Sequence, residues 1–143
     1  MSKNLLYFKS LENFDYCLEN ILQKNSLYIE NCSNGTLTIP IKINHITIRN
    51  CCSITFKING CISGIDLLIS KNITINLCDT SDGTYIELYK CNDNIINSIS
   101  TLLIKSYFSH SNKINNKSIA INYFQPNFVA IVTGTNLTTQ QLH

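Results

Sequence analysis

From Ser26 onward the chain alternates apolar and polar residues in short runs, such as Ile46-Thr47-Ile48 and Ile73-Thr74-Ile75-Asn76-Leu77, broken by Asn, Cys and Gly. Successive side chains of a strand point to opposite faces, so β-branched residues in period two read as a succession of half-buried strands. Ser10 to Lys24 reads differently. There Leu11, Phe14, Leu18, Ile21 and Leu22 fall at helical spacing with Ser10 able to cap the first turn, which predicts one short amphipathic helix.

The strands repeat. An apolar centre followed by a polar corner recurs as Ile29-Glu30-Asn31-Cys32, Ile48-Arg49-Asn50-Cys51, Ile69-Ser70-Lys71-Asn72 and Leu88-Tyr89-Lys90-Cys91, at spacings of 19, 21 and 19 residues. A second apolar position follows eight residues after each centre, at Leu37, Phe56, Leu77 and Ile96. A fixed period of about twenty residues is the mark of a solenoid, in which each coil stacks its inward residues on those of the next. Two or three strands per coil give parallel sheets. Asn31 and Asn50 are expected at corners, since Asn tolerates left-handed backbone, and the neighbouring Cys fill a narrow interior as compact apolar groups. A leucine-rich repeat has a similar period but needs helical spacing on its outer side, where this chain stays β-patterned.

After Lys105 the pattern degrades, and Ser106 to Ser118, rich in Asn, Ser and Lys, reads as a loop. Ser118 to Phe124 and Phe128 to Thr133 flank Gln125-Pro126-Asn127 as a β-hairpin, and Gly134 releases a polar tail to His143. The expectation is one domain over residues 1–143: an N-terminal cap at 1–25, coils at 26–117, and a hairpin with tail at 118–143. Cap and hairpin would cover the solenoid's open edges.

Composition narrows the function. Apolar residues make up 44% of the 143 and charged residues 14%, which suits a packed domain rather than a disordered tail. The formal charge of +2 is spread without a basic run, so nucleic acid is not an expected partner. No apolar run approaches the roughly 20 residues a membrane span needs, and no leader pattern opens the chain, so a cytoplasmic location without membrane insertion is expected. Seven Cys then read as reduced thiols.

Three stretches carry a resemblance to a known family. Lys42-Ile43-Asn44-His45-Ile46-Thr47-Ile48-Arg49-Asn50-Cys51 resembles one coil of the C-terminal domain of the cyclase-associated proteins. Ile62-Ser63-Gly64-Ile65-Asp66-Leu67-Leu68-Ile69-Ser70-Lys71-Asn72-Ile73 is similar to that family's following coil. Pro126 to Thr139, through Phe128, Gly134 and Leu137-Thr138-Thr139, resembles its closing hairpin and threonine-rich end. The resemblance implies a right-handed parallel β-helix and the family's single-domain form, without its N-terminal half and Pro-rich linker. It implies a cytoskeleton-associated, non-enzymatic binder of monomeric actin that prefers ADP-actin and promotes exchange of ADP for ATP or sequesters monomers. It also implies a homodimer that exchanges the hairpin strands, Ser118 to Thr133, through Ile119, Ile121, Tyr123, Phe124, Phe128, Ala130 and Val132. Actin contacts would fall at Lys42, Asn44, Lys57 and Lys71 and, on the tail, at Thr135, Asn136, Leu137, Thr138, Thr139 and His143.

Some residues could support rival chemistries. His45, His110 and His143 with seven Cys could supply zinc, but no Cys-x-x-Cys occurs and the vicinal Cys51 and Cys52 face opposite ways on a strand, so no metal or other cofactor is expected. Asp66, Asp79, Asp82 and Glu87 could serve a small carbohydrate-acting β-helix enzyme, although Asp79 and Asp82 sit in a turn-like Cys-Asp-Thr-Ser-Asp-Gly segment. Arg49 could act as the finger of a tubulin-cofactor-C-like GTPase activator, but that family's Gln-x-Arg-x-His pattern is missing. The expected catalytic set is therefore empty.

Overall fold

The computed structural model describes residues 5–78, 84–98, 102–109, 111–116, 121–124, 128–133 and 136–141, and at 103, at 116 and from 121 onward the backbone alone. Within these residues the chain is all β. It winds back and forth between two sheets. The odd sheet has seven strands in chain order: β1 (Leu5–Lys9), β3 (Ser26–Glu30), β5 (Ile43–Arg49), β7 (Cys61–Leu68), β9 (Thr84–Tyr89), β11 (Leu102–Tyr107) and β13 (Ile121–Phe124). The even sheet holds β2 (Glu12–Cys17), β4 (Ser33–Ile39), β6 (Cys52–Ile58), β8 (Lys71–Leu77), β10 (Ile95–Ser98) and β12 (Asn112–Asn116), followed by β15 (Asn136–Gln141) and β14 (Phe128–Thr133). All pairings among β1 to β13 are parallel, whereas β15 runs antiparallel to both β12 and β14. This is a β-solenoid of roughly 19 residues per turn.

Like residues lie over like. Leu27, Ile46, Ile65, Ile86 and Ile104 form one inward column of the odd sheet, and Leu37, Phe56, Ile75, Ile96 and Ile114 face them from the even sheet. All ten are buried. Each such side chain contributes roughly 1.5–3 kcal/mol of apolar burial, which makes these columns the main support of the coil stack.

The register corrects the repeat read from sequence at one coil. Ile48 sits over Leu67, not Ile69, and Phe56 over Ile75, not Leu77. Coils two and three therefore keep a 19-residue step, and the extra two residues lie in the next coil, where Ile73 pairs with Asn94 at a separation of 21. Ile69 consequently occupies the corner position that Asn50 and Asn31 hold one and two coils earlier.

Each passage from odd to even sheet between β1 and β12 uses two left-handed residues three apart. The first ladder is Ser10, Asn31, Asn50, Ile69, Lys90 and Phe108, and the second Asn13, Asn34, Ser53, Asn72, Asp93 and Ser111, all with φ between 50° and 59°. Between them, Cys32, Cys51, Ser70, Cys91 and Ser109 turn inward and are buried. Ser70 Oγ accepts from the Cys51 N–H at 3.1 Å and Ser109 Oγ from the Cys91 N–H at 3.0 Å, so each hydroxyl satisfies the corner of the coil before it. Asn50 Nδ2 donates to Asn31 Oδ1 across adjacent corners, so the corner amides pair from one coil to the next.

The helix expected over Ser10 to Lys24 is absent. Glu12–Cys17 is strand β2, paired in parallel with β4. The helical spacing has another cause: two left-handed residues at Ser10 and Asn13 bring Leu11 and Phe14 onto the same inward side although they are three residues apart. The Phe14 ring fills the space above Gly35, where a Cβ would lie 2.5 Å from the ring. The N-terminal cap is thus a first coil, with β1 and β2 as edge strands.

Within the loop expected over Ser106 to Ser118, residues 106–109 and 111–116 belong to another coil, with the end of β11 and all of β12. Ser106, Ser109 and Asn112 are buried, and inward polar residues hide the pattern from a hydrophobicity reading. Asn112 Oδ1 accepts from the Asn94 N–H and Nδ2 at 3.1 and 3.0 Å, and Asn94 Oδ1 accepts from the Ile73 N–H at 2.8 Å, so the amides satisfy one another where a sheet bends into its corner. The C-terminal hairpin exists but is formed by β14 and β15 rather than by residues 118–124 and 128–133. Residues 121–124 instead continue the odd sheet on β11. The proposed turn at Gln125-Pro126-Asn127 lies outside the described residues.

Candidate functional site

The outward residues of the odd sheet form the most chemically varied surface. Two rungs cross it: Tyr7, Tyr28, Thr47, Asp66, Glu87 and Lys105, and beside them Lys9, Glu30, Arg49, Leu68, Tyr89 and Tyr107. Tyr7 and Tyr28 stack with centroids 5.2 Å apart, and both hydroxyls donate to the Glu30 carboxylate, at 3.0 and 3.3 Å. The side chain of Arg49 hydrogen-bonds to Tyr28, which ties the one arginine into this cluster.

A second network sits toward the start of the strands. Asn44 Nδ2 donates to Ser26 Oγ at 3.1 Å and Ser63 Oγ donates to Asn44 Oδ1 at 2.9 Å, bridging three coils. His45 Nε2 donates to Asp66 Oδ2 at 3.0 Å, and this hydrogen bond raises the imidazole pKa against the opposing effect of partial burial. The pairing fits around a bulge between Ile43 and His45, where Gly64 takes φ 106° and leaves room for Tyr85, whose backbone oxygen would lie 2.5 Å from an added Cβ.

Aromatic rings continue to the first corner. Tyr89 and Phe108 meet edge-on at 6.0 Å, and the Lys90 ammonium lies 5.4 Å from the Tyr89 ring centre. Around the corner, Asn50, Cys51, Cys52, Ile69, Ser70, Lys71, Lys90 and Asn92 line a groove of about 270 Å³. By contrast the outer face of the even sheet carries Thr36, Thr55 and Thr74 in one row, continued by Ile95 and Lys113, and Asn76, Asn97 and Asn115 in another. The Asn amides hydrogen-bond down the row at 2.8 and 2.7 Å.

The thiols are structural where they are buried. Burial pushes Cys51 up to about 11 and Cys61 up to about 12, and raises Cys91 too, so these groups stay protonated and unreactive. Cys17 and Cys78 are exposed and Cys52 is half-buried. Among the described residues no three His, Cys, Asp or Glu side chains are grouped to hold a metal, and no helix is long and apolar enough to cross a membrane.

The expected contact residues do not converge on one surface. Lys42, in the turn before β5, and Lys57, near the end of β6, flank the second corner, where the chain returns to the odd sheet, whereas Lys71 opens β8 at the first corner. Asn44 lies on the odd sheet and is engaged by Ser26 and Ser63. Asn136, Leu137, Thr138 and Thr139 belong to β15, inside the even sheet, so they are not a free tail. Ile121, Tyr123 and Phe124 fall on β13, and Phe128, Ala130 and Val132 on β14. Ile119, Thr135 and His143 lie outside the described residues, as do His110, Asp79 and Asp82. The tyrosine-bearing face and the Ile69 corner were not singled out from sequence; tyrosines at alternate strand positions in successive coils were the available signal.

Comparison with curated proteins gives no match. A family model described as adenylate cyclase associated (CAP) C terminal matches residues 5–117, the span from β1 through β12. With most of the chain matched, and the matched part forming one continuous coil stack, the protein belongs to the cyclase-associated protein C-terminal family.

Proposed function

We propose that this protein is a cytoplasmic binder of actin monomers that acts by binding alone and not as an enzyme. The observation that carries the reading is the family match over residues 5–117, which coincides with the solenoid. A rigid coil stack suits such a role, because its outward side chains are held by cross-coil hydrogen bonds and lose little freedom when a partner docks. Preference for ADP-actin and acceleration of ADP-to-ATP exchange follow if the protein binds better to the actin conformation with the looser nucleotide cleft.

A homodimer belongs to the same reading. β15 is the only strand that joins the parallel stack antiparallel among the described residues, and β14 hangs on it alone. The same β12–β15 pairing made with the hairpin of a second copy would give an exchanged dimer with every pairing kept.

Release of a fluorescent ADP analogue from monomeric actin, followed with excess ATP at increasing protein concentration, tests the reading together with the solution mass. Saturable acceleration or retardation of release and a mass of two chains are expected. A release rate that stays flat and a monomeric mass would remove exchange control and dimerisation respectively.

A further inference from the structure

Twelve corner residues in the two ladders are left-handed, and the second ladder uses only Asn, Ser and Asp, the types whose short polar side chains tolerate that conformation. The first ladder begins the same way with Ser10, Asn31 and Asn50 and then places Ile69, Lys90 and Phe108 at φ 52°, 52° and 50°. A β-branched residue is the least suited of all to this backbone. Nor does burial repay it, since Ile69 is 47% and Phe108 54% exposed, with Tyr89 beside them at 37%. Strain and exposed apolar surface coincide in three consecutive coils, and held strain of this kind collects where a protein makes contacts.

The chemistry next to this ridge is cationic. Lys71 and Lys90 line the adjoining groove with the amides of Asn50 and Asn92, and no carboxylate is among its described lining residues. Lys71 is exposed. We infer that this corner is a docking site for a protein segment that carries an apolar side chain next to a carboxylate. The apolar group rests on Ile69 and Phe108 and the carboxylate lies between Lys71 and Lys90. This rests on the actin-monomer reading and assigns the contact to the first corner rather than to the second-corner residues Lys42 and Lys57.

The experiment is a titration of ADP-bound monomeric actin against the full chain and three variants, with thermal melting of each. Ile69→Asn restores the residue type that Asn31 and Asn50 supply, so it should raise the melting temperature while weakening actin binding by roughly tenfold or more. Lys71→Glu should weaken binding comparably, and more at low salt than at high, while Lys24→Glu, the same charge change in the β2–β3 connection, leaves affinity unchanged. A purely structural role for the corner would move stability and binding together; here they part. Unchanged affinity in both Ile69→Asn and Lys71→Glu overturns the docking site and leaves the actin reading standing. Failure of the unmodified chain to bind actin overturns both.

Discussion

At the scale of single residues, the His45–Asp66 pair gives the fold a pH dependence whose sign is determined. The pair raises the pKa of the imidazole in the folded protein, so the proton it binds stabilises the fold. That contribution is complete below about pH 6.5, the unfolded value, and is lost as pH rises through the raised one. With both side chains partly exposed, solvent screening holds it to about 1 kcal/mol or less. Melting curves at pH 6 and pH 8 check it: the unmodified protein should lose more stability over that interval than His45→Gln, and equal losses would show that the pair does not couple to folding. Sequence alone does not join these two residues, because the bulge at Ile43/His45 decides which diagonal the imidazole reaches. Asn31 and Asn50 were legible, since few residue types accept left-handed backbone. Ile69 was not: an isoleucine within an apolar run reads as a strand centre, and only the register with Ile48 and Leu67 shows it to be a corner.

The elements tell a similar story. Period-two segments from β3 to β10 were readable because β-branched residues repeat on one face, and the mistakes fell where the corner geometry copies another pattern. Left-handed residues three apart place inward side chains at i and i+3, as in Leu11 and Phe14, which is the spacing of an amphipathic helix. Farther along, Ser109, Asn94 and Asn112 take core positions on the strength of hydrogen bonds, and Ser106 is buried with its hydroxyl unpartnered, so the stretch from β10 to β12 has a weaker hydrophobic signature. The largest reassignment concerns the C-terminus. With β15 lying between β12 and β14, truncation after Gly134 removes a strand from the sheet, bares the edge of β12 and leaves β14 without a partner. A loss of roughly 2 kcal/mol or more, seen as a fall of about 5–10 °C in Tm, is expected. A truncated chain melting at the same temperature would mean that residues 136–141 contribute nothing to the stack.

On the scale of the whole molecule, the fold class and its period were legible, because a coil that cannot bury its own apolar face must repeat to be stable. The surface that meets a partner was not, since outward positions are free of the packing constraint that makes inward ones periodic. What the stack provides is a stiff body with two unlike faces and a chemically distinct corner. The tyrosine-bearing odd sheet and the cationic, apolar-edged first corner adjoin one another, while the outer rows of the even sheet are mainly Thr and Asn. The central claim is that this body recognises monomeric actin. Its most direct test is a titration of ADP-bound actin monomers with the purified full chain, read by calorimetry at physiological salt. Saturation at one actin per chain with Kd of about 10 μM or tighter is the predicted result, and no heat of binding up to roughly 100 μM would contradict the account.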